Sequence, residues 1–74
     1  MLRMRDQGRI KMVNGPVVGA TDMKGYKMRE MVMVGHLKLI GEIIAIDGND
    51  APIQVYEETE GLKIGEPVTS TGKP

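Results

Sequence analysis

The side chains that most often do chemistry in proteins are sparse in this chain and are not grouped for catalysis. His36 is the only histidine, and no carboxylate or cysteine motif accompanies it, so we interpret it as a loop residue and not as a metal ligand or base. Glu57, Glu58 and Glu60 could form an acid/base pair or a cation site. No neighbouring segment marks a dry pocket for them, so a solvated acidic loop is the preferred interpretation.

Two further candidates for chemistry are a lysine and the tail. Lys24 lies in a turn predicted over residues 21–25, where it could carry lipoate or biotin, although a turn lysine is usually only solvated. The tail, residues 69–74, resembles a phosphate-binding loop but fails on spacing. That motif needs Gly where Pro67 stands and Ser or Thr where Pro74 stands. We therefore predict no catalytic, cofactor or metal site in this chain.

Charge and aromatic content argue against nucleic acid as a partner. Lys plus Arg and Asp plus Glu each number 10, for a formal net charge of zero, whereas phosphate-backbone binders gain affinity from a basic surface. Tyr26 and Tyr56 could still serve RNA binding on an oligonucleotide-binding barrel, which is the alternative function. No apolar run approaches the roughly 20 residues that span a bilayer, so we predict a cytoplasmic location without direct membrane contact.

The elements that position these residues are predicted to be short β-strands around a central hairpin. Residues 38–59 contain two β-rich arms joined by the turn-forming residues 47–50. The hairpin register stays open: a two-residue turn pairs Ile44 with Ile53, whereas a three-residue turn pairs Ile43 with Val55. Pro52 lacks an amide donor, so we expect it at an edge, at a bulge or with its nitrogen facing outward.

The remaining chain is predicted to complete a small barrel. Strands are expected from Gly8, over residues 17–20, over residues 26–34 with helix as the rival, and over residues 68–71. Leu62 and Ile64 are spaced to enter the core. This strand spacing indicates an all-β barrel of about six strands. We expect residues 1–7 to be a disordered leader and residues 8–74 to form one β-barrel domain.

Several segments together resemble one family. In order and spacing, the chain is similar to the N-terminal domain of the catalytic A subunit of archaeal and vacuolar-type rotary ATPases. The segments that carry the resemblance are residues 14–18 (NGPVV), 23–25 (MKG), 34–35 (VG), 39–44 (LIGEII), 53–59 (IQVYEET) and 61–68 (GLKIGEPV). The last two runs are the most specific. Gly19, Tyr26 and Pro52 depart from the family's usual residues.

The resemblance implies a closed six-stranded Greek-key barrel that does no chemistry itself. In that family, the barrels of the A and B subunits alternate in a crown that holds the hexameric headpiece together, and the parent complex couples ATP synthesis or hydrolysis to proton or sodium transport. The phosphate-binding loop and catalytic residues lie in later domains that this sequence lacks, so an excised domain or an engineered barrel is expected. The expected partners are neighbouring barrels (those of the B subunit) or a second copy, and the complex would be peripheral to the membrane.

The residues expected at a subunit interface come from the central hairpin. Its first arm is richer in apolar residues than one small interior can absorb, and exposed apolar surface of this kind is typical of association sites. We predict that the interface includes Ile40, Ile44, Ile46 and Tyr56.

Overall fold

The computed structural model describes residues 7–71, which form six β-strands. These are β1 (Gly8–Asn14), β2 (Val17–Thr21), β3 (Met31–Val34), β4 (Leu39–Ile43), β5 (Ala51–Val55) and β6 (Pro67–Ser70). Every neighbouring pair is antiparallel, and the sheet closes in the order β1-β2-β5-β4-β3-β6. The predicted all-β class and closed six-stranded barrel are confirmed. The predicted leader, residues 1–7, lies outside the described residues except for Gln7.

The strand order is that of a Greek key. Strands β3, β4 and β5 are joined consecutively, and β6 then returns to lie beside β3, which is the spatial order that defines the motif. Because β1 pairs with both β2 and β6, the sheet has no free edge. Closure satisfies the strand amides that an open sheet would leave exposed.

The core lies inside the barrel and is built mainly from small and β-branched side chains. Inward residues alternate with outward ones along β4 and β5, as the two-residue period of a strand requires. The buried apolar residues are Ile10, Val18, Ala20, Met23, Tyr26, Val32, Val34, Leu39, Ile43, Ala51, Ile53, Val55 and Val68. Across residues 7–71, the structure contains no helix with the length and apolar character to cross a membrane.

The central hairpin forms, but both predicted registers are wrong. A two-residue turn does occur, because the amides of Asp47 and Asp50 each donate to the other's carbonyl, at 2.8 and 2.9 Å. The ladder nevertheless pairs Ile43 with Ile53. Between these two pairs, three residues (44–46) oppose only two (51–52). The segment after β4 therefore contains one extra residue, which a prediction from the turn alone does not include.

That irregularity also accommodates Pro52. Its carbonyl accepts a hydrogen bond from the amide of Ile44 at 3.0 Å, next to the extra residue in the opposing segment. A proline beside a bulge is one of the placements expected from its missing donor.

The strand predicted over residues 26–34 is confirmed only as Met31–Val34; residues 26–30 are not strand, and the rival helix does not form there either. The amide of Arg29 donates to the carbonyl of Ile43 at 2.8 Å, and the amide of Ile43 donates to the carbonyl of Glu30 at 3.0 Å. Two residues thus oppose one, which is a β-bulge. The bulge joins β3 to the turn that precedes it.

Of the two residues predicted to enter the core from the long loop, one does so. Leu62 is half-buried and packs against the core, but Ile64 is 66% exposed, so that prediction is wrong. Ile64 occupies a turn in which the amide of Glu66 donates to the carbonyl of Lys63 at 3.2 Å. A side chain at the tip of a turn projects away from the barrel.

Candidate subunit interface

The outward side of β4 and β5 forms a continuous surface. In β4 the outward residues are Ile40 and Glu42, which alternate with buried neighbours. In β5 they are Pro52 and Gln54, and Gln54 pairs directly with Glu42. Because cross-strand partners share a face of the sheet, this surface has aliphatic ends and a polar middle.

The structure exposes all four residues predicted at the interface. The exposed fractions are 37% for Ile40, 42% for Ile44, 41% for Ile46 and 58% for Tyr56. The amide of Tyr56 donates to the carbonyl of Ile40 at 3.1 Å, so these two residues are cross-strand neighbours. Ile44 follows the end of β4, and Ile46 lies in the loop between β4 and β5.

Strand β3 adds two methionines that the interface prediction missed. Met31 pairs with Glu42 and Met33 pairs with Ile40, and both methionines are half-buried. The sequence could have predicted them, because the two-residue period of a strand over residues 31–34 places Met31 and Met33 on one face. Methionine adapts its shape to irregular neighbours, which suits a contact surface.

A polar cluster lies within this apolar surface. The guanidinium of Arg29 donates from Nη1 to Glu42 Oε2 at 3.1 Å, and the hydroxyl of Tyr56 donates to Glu42 Oε1 at 2.6 Å. The Glu42 side chain is only 21% exposed, whereas the Arg29 side chain is 80% exposed. Each carboxylate oxygen thus has a donor of its own, and the carboxylate is fixed between two structural elements.

The charges of the cluster are consistent with this geometry. The hydrogen bond from Tyr56, followed by that from Arg29, lowers the pKa of Glu42, since both stabilise the ionised carboxylate. The same bond to Glu42 raises the pKa of Tyr56, because an anion beside the phenol disfavours phenolate. At neutral pH the cluster is therefore an ionised carboxylate held by a cation and a neutral phenol.

The other predicted candidates are residues of turns and loops. His36 is exposed in the turn after β3, and its backbone amide donates to Glu66 Oε1 at 3.2 Å. Lys24, Glu57, Glu58 and Glu60 lie in two separate loops. Within residues 7–71, no three His, Asp or Glu side chains are grouped to hold a metal ion. The phosphate-loop-like tail runs beyond the described residues, which end at residue 71.

The two tyrosines considered for RNA stacking do not share a surface. Tyr26 is buried in the core, with 7% of its surface exposed, whereas Tyr56 is 58% exposed. Stacking platforms for single strands use successive exposed aromatic rings. This pair offers one exposed ring, and its hydroxyl is engaged by Glu42.

Sequence comparison places the chain among ATP synthase proteins. It is 63% identical over 67 residues to the V-type ATP synthase alpha chain 2 of Clostridium tetani, a match that covers 90% of this chain and 11% of that protein. It is 62% identical over 65 residues to the A subunit of the A-type ATP synthase of Thermococcus onnurineus, covering 88% of this chain and 11% of that one. The chain thus spans about a tenth of the length of these relatives.

A solved structure has the same fold at low sequence identity. The assembled ATPase EscN from the type III secretion system of enteropathogenic E. coli superposes with a TM-score of 0.81 at 20% identity, covering 89% of this chain and 16% of that one. The sequence profile described as "ATP synthase alpha/beta family, beta-barrel domain" matches residues 10–72. The chain therefore belongs to the ATP synthase alpha/beta family, as the N-terminal β-barrel domain of the A subunit of a V-type or A-type enzyme, which confirms the resemblance seen in its sequence.

Proposed function

We propose that this barrel is a non-catalytic assembly domain, which helps to hold the alternating A and B subunits of an A/V-type ATP synthase headpiece together. It would act by burying the outward surface of β4 and β5 against the barrel of a neighbouring subunit. The observation that carries this proposal is the exposure of Ile40, Ile44, Ile46 and Tyr56 on one hairpin of a barrel that has a separate buried core.

The composition of this surface supports the proposal. Protein interfaces combine an apolar, aromatic and methionine-rich centre with a few well-placed polar groups. Here aliphatic residues and Tyr56 surround one fixed carboxylate, and the half-buried Met31 and Met33 extend the apolar area. Exposed apolar side chains grouped in this way mark association sites more often than scattered ones do.

The chemistry of the parent complex would belong to other domains. We infer that ATP turnover needs the larger part of the protein, since the relatives are about eight times as long as this chain. In the parent, the headpiece would sit in the cytoplasm, peripheral to the membrane, and its ATP synthesis or hydrolysis would be coupled to proton or sodium transport. An ATPase assay on the isolated chain is expected to give no turnover above buffer, and turnover would contradict a purely structural role.

Association with a neighbouring barrel tests the proposal directly. The probe is the barrel of the B subunit of the Thermococcus onnurineus A-type ATP synthase, titrated against this chain by sedimentation equilibrium; a concentration series of the chain alone tests pairing with a second copy. We expect the wild-type chain to bind the probe. Ile44→Ser removes an aliphatic side chain from the contact and is expected to raise the Kd about tenfold.

The matched control is the same substitution outside the surface. Ile64 is more exposed than Ile44 but lies in the loop between β5 and β6, so Ile64→Ser should leave the Kd unchanged. Thermal unfolding verifies that both variants fold. A wild-type chain that binds neither the probe nor itself, or equal losses from the two substitutions, would contradict the assignment of this surface.

A further inference from the structure

The turn formed by residues 27–30 has an arginine at a position whose backbone geometry favours glycine. The amide of Glu30 donates to the carbonyl of Lys27 at 3.1 Å, which closes the turn. Arg29 is its third residue and has a φ of 74°, whereas Met28 before it is not among the positive-φ residues. This is the pattern of a type II turn, in which Gly is the usual third residue because a Cβ is disfavoured there.

Two other turns of the same barrel show what the geometry ordinarily selects. The turn over residues 23–26 has Gly25 in the third position with a φ of 91°, and the turn over residues 63–66 has Gly65 there with a φ of 93°. These two turns use glycine, whereas the turn over residues 27–30 uses Arg29. A non-glycine residue held at positive φ persists only when its surroundings enforce it, and such residues cluster at functional sites.

The surroundings do enforce the conformation of Arg29. Its amide is bonded to the carbonyl of Ile43 in the bulge beside β4. The turn is also fastened from inside, because the carboxylate of the buried Glu30 accepts from the amide of Lys27 at 3.0 Å and from the Ser70 hydroxyl at 2.9 Å. None of these bonds uses the side chain of Arg29, so all of them could form equally well with glycine at position 29.

The side-chain ion pair alone does not account for the arginine. The pair between Arg29 and Glu42 is largely open to water on the arginine side, where 80% of the side chain is exposed. Exposed ion pairs contribute little to folding, because water screens them and because two long side chains must be ordered. Glu42 is also held independently by the hydroxyl of Tyr56. The ion pair therefore adds too little to the stability of the fold to explain why arginine occupies this strained conformation.

What the arginine adds is an oriented set of donors at the border of the apolar surface. A guanidinium has five N–H groups in a rigid fork, and among residues 7–71 the only side chain that accepts from Arg29 is Glu42. The bond to Glu42 orients one end of the fork, and the exposed side chain presents its other donors to solvent. Arginine beside tyrosine, next to aliphatic contacts, is the composition of an interface hot spot.

We propose that Arg29 is the recognition residue of this surface, donating its remaining guanidinium N–H groups to a carboxylate on the neighbouring subunit's barrel. Glu42 and Tyr56 are positioning residues that orient it. The inference rests on the proposed function, because it needs the outward surface of β4 and β5 to meet another barrel. Charge complementarity selects the group on the partner, since a fixed guanidinium fork matches the two oxygens of a carboxylate.

The test uses one substitution at Arg29 and a matched substitution elsewhere. Lys38 is a second exposed cation with positive φ, at 56°, and lies at the opposite end of β4. Arg29→Gly and Lys38→Gly each remove one positive charge and one non-glycine residue from the left-handed region. Both are titrated with the barrel of the Thermococcus onnurineus B subunit at two salt concentrations, and their thermal unfolding is measured.

We expect Arg29→Gly to raise the Kd about tenfold or more and to reduce its dependence on salt, while its melting temperature stays level or rises. Lys38→Gly should leave the Kd within about twofold. Arg29→Lys should lose much of the affinity too, because an ammonium cannot form the two parallel bonds of the fork.

Three outcomes would overturn the proposal, and they separate it from the failure of the proposed function. If the wild-type chain binds and Arg29→Gly binds equally well, the surface is an interface but Arg29 does not recognise the partner. If Arg29→Gly and Lys38→Gly weaken binding equally, only general charge attraction is at work. If the wild-type chain does not bind at all, the assembly surface and the role of Arg29 both fail.

Discussion

Two turns of this barrel share a backbone geometry and differ in the residue that adopts it. In residues 63–66 the third position is Gly65, and a Cβ built there meets nothing within 4 Å. In residues 27–30 the same position is Arg29, whose side chain reaches Glu42. The first turn follows local backbone preference, whereas the second departs from it next to an exposed apolar surface. The second turn thus places a long, charged side chain where the backbone alone favours glycine.

Gly41 is required because there is no space for a side chain, and not because of its φ angle. It therefore separates the steric reason for a glycine from the conformational one. A Cβ at Gly41 would lie 2.6 Å from Ile53 Cγ2 and 3.1 Å from the carbonyl oxygen of Gln54, inside the barrel. Gly41→Ala is therefore expected to destabilise the fold by about 2–3 kcal/mol, because the ladder between β4 and β5 must move. Urea unfolding measures the change in the free energy of unfolding. A smaller decrease for Gly41→Ala than for Gly65→Ala would contradict the close packing around Gly41.

At Gly65 the free-energy cost of positive φ can be measured without any steric contribution. Because a Cβ there has open space around it, Gly65→Ala tests only the cost of positive φ, which is about 1–2 kcal/mol for an L-residue. The same urea unfolding experiment measures it. If Gly65→Ala proves neutral, positive φ in these turns carries little strain, and the conformation of Arg29 is then no reason to assign it a function.

The converse substitution relieves the strain at position 29. Arg29→Gly is expected to leave the folded state level or stabilise it by about 0.5 kcal/mol, since relief of positive φ is partly offset by the larger entropy of glycine in the unfolded chain. Lys38→Gly is the comparison variant, because Lys38 also has a positive φ, of 56°, and its replacement by glycine should change stability to a similar extent. A clear loss of stability in Arg29→Gly alone would show that the arginine is kept for the fold itself.

The smallest expected effect is a change in titration. Tyr56 is the largest cause of the lowered pKa of Glu42, and Arg29 is the second. Tyr56→Phe and Arg29→Gly should therefore each raise the pKa of Glu42, which carboxyl NMR titration can follow. Asp50 is an internal control, because its pKa is lowered chiefly by a hydrogen bond from Lys11, and neither substitution should alter it.

The sign of the accompanying pH dependence follows from linkage. The folded-state pKa of Glu42 lies below the unfolded value, so its contribution to stability is complete above the unfolded pKa and is lost as pH falls through the folded pKa. Glu42→Gln should reduce the dependence of the free energy of unfolding on pH in the acidic range. In the neutral range the pH dependence should be unchanged. An unchanged pH dependence in the acidic range would mean that the cluster does not persist in solution.

Local patterns in the chain predicted most of the strands. The alternation from Gly8, the β-rich arms of residues 38–59 and the glycine-containing turns placed every strand of the barrel, although β3 proved shorter than expected. These predictions succeed because strand periodicity and turn chemistry depend on neighbouring residues. The exposure of the hairpin residues followed from the same reasoning, since the interior takes up Leu39 and Ile43 of the first arm and leaves Ile40, Ile44 and Ile46 outside.

The short β3 and the wrong hairpin register share one cause, which is an extra residue in the ladder. The bulge of Arg29 and Glu30 opposite Ile43 shortened β3, and the extra residue in 44–46 displaced the hairpin register. A bulge forms when the pairing of two distant segments requires it, so neither segment alone reveals it. Ile64 was misplaced for a related reason, because the turn that exposes it is fixed by pairing between the loop and β1.

The amino-acid sequence by itself determined the class, the strands, the turns and the family, because each of these is specified by residue type and spacing along the chain. Only the tertiary structure decided which side chains meet. Arg29, Glu42 and Tyr56 come from three different segments, and their cluster exists because the pairing of β4 with the bulge before β3 and with β5 brings those segments together. Contacts between elements depend on register and handedness in three dimensions, which no local pattern encodes.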